Sequence, residues 1–154
     1  MGLAEYLERH AVGAGVLADD RDETLRWFAC RFEEAGVLPD ADAGFEALAE
    51  RERIASTVLV EGVAVPHARV PGARRLAFGA LRCGKPVVFE GVRPAPVELI
   101  FAIVGPPEET ARHVALLGGI ARLVGDPARR RRMLEATRVE ELLELLEAED
   151  GTQG

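Results

Sequence analysis

His67 is the residue in this chain best placed to act as a nucleophile. It follows the apolar segment 57–65 and Pro66, and a proline at that step stiffens the backbone that carries the imidazole. An imidazole with an ordinary pKa of about 6.5 is largely neutral near pH 7, so its unprotonated nitrogen can attack an electrophile. A loop or core histidine without chemistry is the competing interpretation.

A cation and two hydroxyls precede His67 in the sequence. Arg51 falls in the last predicted turn of a helix that leads into the same strand, and its guanidinium can bind phosphate oxygens in a fork. Ser56 and Thr57 can add hydroxyl donors. Each residue also has an ordinary structural alternative, because cations stabilise helix C-termini and hydroxyls cap turns.

His113 is a second histidine that the sequence pattern directs towards the interior. On a helix predicted over 108–124 it lies one and two turns before Leu117 and Ile120, so it shares their core-facing side. Histidines on such faces are often satisfied core residues, and this alternative stays open. His10 is predicted to face solvent and receives no functional role.

Two imidazoles and an arginine around one small cavity suit the transfer of a phosphoryl group to histidine. Such a transfer needs in-line positioning and stabilisation of the moving charge more than covalent help from the protein. Zinc binding is the competing use of two histidines, but no Cys, Asp or Glu has a helpful spacing to either one, so no metal is predicted. The sequence contains neither a glycine-rich phosphate loop nor a Gly-x-Ser-x-Gly elbow.

The composition limits the classes of partner. The 154 residues carry a formal net charge of −7, which argues against a nucleic-acid-binding protein. The segment 51–85 nevertheless contains seven cations and only two acids. This basic middle segment suits a small anionic group or an acidic patch on a partner protein.

A cytoplasmic location is the expectation from the sequence. The apolar runs are too short to span a membrane, and the first twenty residues do not have the basic start and apolar middle of a signal peptide. Cys30 and Cys83 lie far apart without metal-type spacing, which is typical of reduced thiols in a reducing compartment.

Helical and extended patterns intermix along the chain. Helices are predicted over residues 3–8, 22–35, 41–53, 108–124, 128–136 and 139–148. Strands are predicted over 11–17, 76–81, 87–89 and 97–104, with a turn at 84–86, and two short extended pieces bent at Gly62 are predicted over 57–65. The apolar residues of the helix over 108–124 are Val114, Leu117, Ile120, Leu123 and Val124. The pattern indicates one α/β domain over residues 1–150, a sandwich around a mixed sheet, followed by a frayed tail over 151–154.

A family resemblance is carried by the segment that ends at His67. Arg51-Glu52, then Ser56-Thr57, then GVAVPH resemble the signature of the fructose/mannitol/nitrogen-regulatory class of enzyme IIA, components of the phosphoenolpyruvate-dependent phosphotransferase system. The similarity continues through KPVVFEG and PVELIFAIVGPPEETARHVALLGGIARLV, so it covers essentially the whole chain. It implies a mixed sheet flanked by helices on both faces.

The resemblance also implies roles for individual residues. His67 would be phosphorylated through Nε2, His113 would be the second active-site histidine and Arg51 the active-site arginine. The remaining motif positions would be supporting scaffold: Glu52, Ser56, Thr57, Gly62 and Pro66. Many members carry a glycine-rich stretch after the Ser-Thr pair, whereas Val58, Leu59 and Val60 stand here and predict a stiffer segment.

Three functions are compatible with this resemblance. In the first, His67 accepts a phosphoryl group from the histidine phosphocarrier protein and passes it to an enzyme IIB for uptake of a fructose- or mannitol-type sugar, without a metal or organic cofactor. In the second, a nitrogen-type regulator binds target proteins according to its phosphorylation state. The third, a non-catalytic binding domain of the same fold, is disfavoured by the presence of His67, Arg51 and His113.

Overall fold

One mixed sheet of six strands organises residues 2–91 and 93–152, which the computed structural model describes. The strands are β1 (Leu7–Val16), β2 (Val58–Val60), β3 (Gly62–Ala64), β4 (His67–Arg69), β5 (Ala77–Phe89) and β6 (Ala95–Gly105). Their order is β1-β5-β6-β3-β2, and β4 also pairs with β6. The β1–β5, β3–β6 and β4–β6 pairs are parallel, whereas β2–β3 and β5–β6 are antiparallel.

Helices cover both faces of this sheet. They are α1 (Arg21–Glu34), α2 (Ala41–Ile54), α3 (Thr110–Gly125), α4 (Pro127–Glu135) and α5 (Val139–Thr152), and a 3₁₀ turn (Leu3–Tyr6) precedes β1. Asp20, Asp40 and Asp126 cap the first turns of α1, α2 and α4, because each carboxylate accepts a backbone N–H of the following helix. None of the helices in the described part of the chain is long and apolar enough to cross a membrane.

The central strand β6 shows how two cores arise from one apolar run. Ile100, Ala102 and Val104 belong to a cluster that includes buried side chains of α1 and α2. Their neighbours Leu99, Phe101 and Ile103 belong to a second cluster, with buried side chains of α3, α4 and α5. Since successive strand residues point to opposite faces, a strand buried on both sides has no polar alternation. The predicted α/β/α sandwich is therefore confirmed.

The predicted turn at 84–86 is wrong. A single strand, β5, runs from Ala77 to Phe89, and its register with β6 shifts between Arg82 and Val87. Pairing with β1 ends at Cys83, so Gly84 to Pro86 lie where one neighbouring strand has stopped and the side chains are exposed. A proline at an unpaired strand edge interrupts no ladder hydrogen bond, which explains why the strand continues through it.

Two other elements differ from their predictions, and one apolar side chain of α3 is exposed. The segment predicted as a helix over 3–8 is the 3₁₀ turn followed by β1, which begins at Leu7. The apolar side chain of Val114 is 59% exposed, because the buried stripe of α3 passes through His113, Leu116 and Ile120, well around the helix from Val114. Helix α5 continues to Thr152, and the rest of the predicted frayed tail, residues 153–154, lies outside the described residues.

Candidate functional site

The backbone of His67 is fixed by strand pairing before and after Pro66. Strands β3 and β4 both pair with β6, at Val97 to Ile100 and at Ile103 to Gly105 respectively, so they are two halves of one interrupted strand. Pro66 forms the interruption, and its carbonyl accepts the N–H of Ile103 at 3.0 Å. The strand segment that carries His67 is therefore held on the buried centre of the sheet.

The imidazole of His67 has one nitrogen engaged and one available. Its Nδ1 lies 2.8 Å from the carbonyl oxygen of Val65. Because a carbonyl oxygen only accepts hydrogen bonds, Nδ1 must carry the proton, and in the neutral ring Nε2 then keeps a free lone pair. The sequence motif alone does not contain this geometry, which leaves Nε2 as the ring nitrogen with a free lone pair.

Burial of the ring and two nearby positive charges lower the pKa of His67 below its ordinary 6.5. Burial is the largest cause, and the positive charges of Arg51 and Arg69 act in the same direction. The hydrogen bond with the Val65 carbonyl and the negative charge of Glu52 oppose the shift. A lowered pKa keeps the ring neutral, and thus nucleophilic, at neutral pH.

His113 lies beside His67 on the second face of the site. The two ring centroids are 5.7 Å apart and the ring planes are inclined by 61°. The side chain of His113 is only 4% exposed, and neither ring nitrogen has a hydrogen-bond partner among the described residues. Burial, the charge of His67 and the charge of Arg69 lower the pKa of His113 to about 4. A neutral, unpartnered N–H is therefore available to a ligand.

Arg51 combines the two roles that its position in the sequence allows. One guanidinium nitrogen donates to the Ala55 carbonyl at 2.8 Å, which caps the C-terminal end of α2. The guanidinium has five N–H donors, so several are left for another acceptor. Arg51 also lines the cavity in front of His67, whereas Arg53 pairs with Glu50 and is not among the lining residues.

An open cavity of about 480 Å³ brings His67, His113 and Arg51 together. Its lining residues come from α2, β4 and α3: Ala47, Glu50, Arg51, Ile54, His67, Ala68, Arg69, His113, Val114 and Leu117. Ile54 and Val114 are 73% and 59% exposed, so the outer part of the cavity is apolar. A small anion fits beside the imidazoles and cations, while the apolar rim suits contact with another protein surface.

Ser56 and Thr57 do not supply hydroxyl donors to this cavity. The Thr57 hydroxyl donates to Glu52 Oε1 at 2.6 Å, and the Thr57 backbone N–H donates to Glu52 Oε2 at 2.9 Å. The Ser56 hydroxyl accepts the N–H of Val58 at 3.2 Å and lines a different cavity. The buried Glu52 carboxylate thus ties the end of α2 to the segment before β2, which is a supporting role.

Gly62 and the valine-rich segment shape the turn before the site. Gly62 has φ of +80°, a left-handed conformation that favours glycine, and it begins β3 directly after Glu61. Val58 to Val60 form β2, an edge strand paired with β3. The segment is therefore an ordered strand, as its β-branched composition predicts.

Arg69 is a lining residue that the sequence analysis did not single out. It lies two residues beyond His67 on β4, and its side chain is exposed at the cavity. The period of two along a strand was the available signal, because it places residues 67 and 69 on the same side.

Comparisons with known proteins identify the family. Residues 5–149 match the family described as phosphoenolpyruvate-dependent sugar phosphotransferase system, EIIA 2. The 2-O-alpha-mannosyl-D-glycerate-specific EIIABC component of Escherichia coli K12 is 30% identical over 155 residues, 99% of this chain but only 24% of that protein. A nitrogen regulatory protein of Pseudomonas aeruginosa is 34% identical over 114 residues, 73% of this chain and 74% of the relative.

The same family is found among solved structures. The nitrogen regulatory protein IIA-Ntr of Neisseria meningitidis superposes with a TM-score of 0.83 at 26% identity, covering 92% of this chain and 97% of that chain. EIIA domains of this system are components of a phosphoryl-transfer relay. The expected family is thus confirmed, while phosphorylation of His67 stays a prediction. The chain belongs to the EIIA 2 family of the phosphoenolpyruvate-dependent sugar phosphotransferase system.

Proposed function

We propose that His67 carries the phosphoryl group of a phosphotransferase relay, through its Nε2 atom. The observation that carries this proposal is the 2.8 Å contact between His67 Nδ1 and the Val65 carbonyl. It holds the proton on Nδ1 and leaves the Nε2 lone pair available beside a cavity that also contains Arg51 and His113. A phosphoryl group needs this combination of an aimed nucleophile and nearby donors.

The transfer step requires no metal or organic cofactor. The Nε2 lone pair of His67 attacks the phosphorus of a phosphohistidine on the donor protein. A bond forms between phosphorus and Nε2, and the bond between phosphorus and the donor imidazole breaks with its electron pair returning to that ring. His67 keeps its Nδ1 proton, so the carbonyl of Val65 stabilises the ring before and after transfer. In the onward step, a nucleophile of the acceptor protein attacks the phosphorus, and the bond between phosphorus and Nε2 breaks with its electron pair returning to the His67 ring.

His113 and Arg51 stabilise the charge of the moving group. His113 donates its ring N–H to a phosphoryl oxygen, which gives its buried nitrogen the partner that the described residues do not provide. Arg51 contributes the N–H donors that are not used by the Ala55 carbonyl. Glu52 and Thr57 keep the end of α2 in position, and Gly62 and Pro66 shape the chain that leads to His67.

The proposed donor is the histidine phosphocarrier protein, and the proposed acceptor is an enzyme IIB that serves a fructose- or mannitol-type sugar. The acceptor is supported by the similar Escherichia coli protein, whose name joins EIIA with B and C parts in one component. The relay is assigned to a single domain over residues 1–150, and a cytoplasmic location is part of the proposal.

A regulatory output is the second candidate function. It is favoured by the similarity to nitrogen regulatory proteins from several bacteria, at 34% identity for the Pseudomonas aeruginosa protein. In this alternative, phosphorylation of His67 adds negative charge next to Arg51 and Arg69, and target proteins distinguish the two charge states. The two candidate functions share the same chemistry at His67. They differ in the partner of the phosphorylated protein, which is an enzyme IIB in the first and a regulated target protein in the second.

The test supplies phosphoenolpyruvate, enzyme I and the histidine phosphocarrier protein and measures an acid-labile phosphoryl group on the chain. We expect the native protein to be labelled and His67→Ala to be unlabelled. His10→Ala is the matched control, since His10 is exposed and lies outside the cavity, and it should be labelled like the native protein. An unlabelled native protein contradicts the proposal and favours a non-catalytic binding domain. A labelled His67→Ala also contradicts the proposal, because the phosphoryl group would then be on another residue.

A second measurement separates the two outputs. The phosphorylated protein is mixed with candidate enzyme IIB proteins, and loss of the label from His67 is followed with time. Rapid transfer to an enzyme IIB supports the sugar relay. A label that stays on His67, combined with target binding that changes with phosphorylation, supports the regulator instead.

A further inference from the structure

The cations of the basic middle segment are nearly all engaged with other groups. Within residues 51–85, six of the seven have a partner among the described residues: Arg51 with the Ala55 carbonyl, Arg53 with Glu50, Arg74 with the Gly36 carbonyl, Arg75 with Glu8, Arg82 with the Leu134 carbonyl and Glu98, and Lys85 with Asp19. For Arg69 the described part of the chain supplies no side-chain hydrogen bond and no ion pair.

The backbone of this unpaired cation is nevertheless well fixed. Arg69 ends β4, in register with Gly105 of the buried strand β6. Ala68 faces the core and is 7% exposed, so His67 and Arg69 lie on the other side of the strand and both line the cavity. The arrangement places a guanidinium on a rigid support beside the nucleophile, with its donors unused.

Electrostatics in the cavity favour an anionic partner for Arg69. Its positive charge lowers the pKa of both His67 and His113, so its field reaches both rings. Glu50 is the carboxylate among the lining residues, and it is paired with Arg53. Within the described lining of the cavity, Arg69 is therefore accompanied by the two imidazoles, Arg51 and apolar side chains, and the carboxylate of Glu50 is engaged by Arg53.

We propose that Arg69 is a second arginine that binds the phosphoryl group on His67, opposite the helix-anchored Arg51. This inference rests on the proposed function of His67. Arg51 is held by the Ala55 carbonyl and offers a preset group of donors, whereas Arg69 has no partner among the described residues and can turn to an anion. The two cations approach from different elements, α2 and β4, so together they surround the phosphoryl oxygens from two sides.

The test measures the rate of label transfer from the phosphorylated carrier protein to native protein, Arg69→Gln, Arg69→Lys and Arg132→Gln. Arg132→Gln is the control, because it removes the same charge as Arg69→Gln. Arg132 is exposed on α4 and does not line the cavity. We expect Arg69→Gln to be slower by about 10- to 100-fold, the effect of one charge-assisted contact to an anion. Arg69→Lys should lie between, because a lysine keeps the charge but not the fork.

A second readout does not depend on phosphoryl transfer. Inorganic phosphate is titrated into each protein while the ring signals of His67 and His113 are followed by NMR. We expect Arg69→Gln to weaken the phosphate-dependent shifts and Arg132→Gln to leave them unchanged. If Arg69→Gln matches Arg132→Gln in both experiments, Arg69 does not bind the phosphoryl group. If the native protein takes up no label, the proposed function is wrong, and the phosphate titration alone decides the role of Arg69.

Discussion

The rings of His67 and His113 lie 5.7 Å apart, and they differ in how their nitrogens are satisfied. His67 has Nδ1 bonded to the Val65 carbonyl, whereas His113 is buried with no partner for either nitrogen among the described residues. A buried polar atom without a hydrogen bond costs about 1–3 kcal/mol of stability. The buried imidazole that carries this cost lies beside His67, which is typical of a site arranged for a ligand.

The first prediction concerns this stability cost. His113→Leu should slow phosphoryl transfer by about 10- to 100-fold, because a charge-assisted donor to the phosphoryl group is lost. The free energy of unfolding should stay at or above that of the native protein at pH 7, since an unpaired buried imidazole is replaced by an apolar side chain of similar size. Transfer kinetics and urea denaturation measure the two quantities.

A conservative variant completes this test. His113→Gln keeps an N–H donor at a similar distance from the backbone, so it should recover part of the transfer rate. A leucine variant that transfers at the native rate would reduce His113 to a core residue. A leucine variant that unfolds much more easily than the native protein would show that the imidazole is structural.

The second prediction is a pH dependence of stability. The pKa of His113 is lowered from 6.5 to about 4 in the folded protein, so between these values the unfolded chain binds the proton first. Stability therefore falls as pH decreases through this range, and the lowered pKa of His67 acts in the same direction. His113→Leu should lose less stability than the native protein between pH 7 and pH 4.5, by about 2–3 kcal/mol.

Urea denaturation of both proteins at the two pH values measures this difference. The other titrating groups contribute almost equally to both proteins, so subtraction isolates the contribution of residue 113. Equal losses of stability would mean that His113 is protonated in the folded protein with an ordinary pKa. A larger loss in the leucine variant would reverse the predicted sign.

The third prediction separates two neighbouring arginines. Arg51→Ala should slow phosphoryl transfer by about tenfold or more and raise the pKa of His67, because Arg51 is one of the charges that lower it. Arg53→Ala removes the same charge from the same helix turn, but Arg53 pairs with Glu50 and does not itself line the cavity. Its transfer rate and the NMR titration of His67 should match the native protein.

The fourth prediction concerns the supporting residues. Thr57→Val removes the hydroxyl that donates to Glu52 Oε1 at 2.6 Å, so a buried carboxylate loses a partner. We expect destabilisation of about 1–3 kcal/mol by urea denaturation. Thr57→Ser keeps the hydroxyl and should lose less stability, and Ser56→Ala should change it by less than about 0.5 kcal/mol because Ser56 is exposed. Equal effects at both positions would contradict a supporting role for the Glu52–Thr57 pair.

The sequence predicts the elements whose signals are local and strong. The apolar stripe of α1, the mostly apolar run of β6 around Glu98 and the turn at Gly62 are all present, since periodicity and glycine conformation act over a few residues. The turn predicted at 84–86 was wrong because its effect depends on where β1 ends, which is a property of a distant strand. Local turn chemistry cannot report that a strand neighbour is missing.

In the site as well, features set by nearby residues follow from the sequence, whereas contacts between distant elements do not. The buried position of His113 follows from helix periodicity, but its closeness to His67 depends on how α3 packs beside β4. From the sequence, the Thr57 hydroxyl is a possible donor to a phosphoryl group. The structure shows that this hydroxyl donates to Glu52 Oε1 instead. Arg69 was missed because, in the sequence, it is one cation among seven, and its lack of a partner is visible only in three dimensions.

An NMR experiment on the phosphorylated protein identifies the phosphorylated atom directly. Nitrogen-15-labelled protein is phosphorylated with phosphoenolpyruvate, enzyme I and the histidine phosphocarrier protein, and long-range proton–nitrogen spectra assign each imidazole nitrogen. We expect phosphorus coupling at Nε2 of His67, with the proton retained on Nδ1 by the Val65 carbonyl. A phosphoryl group on Nδ1, on another residue or on no residue would contradict it.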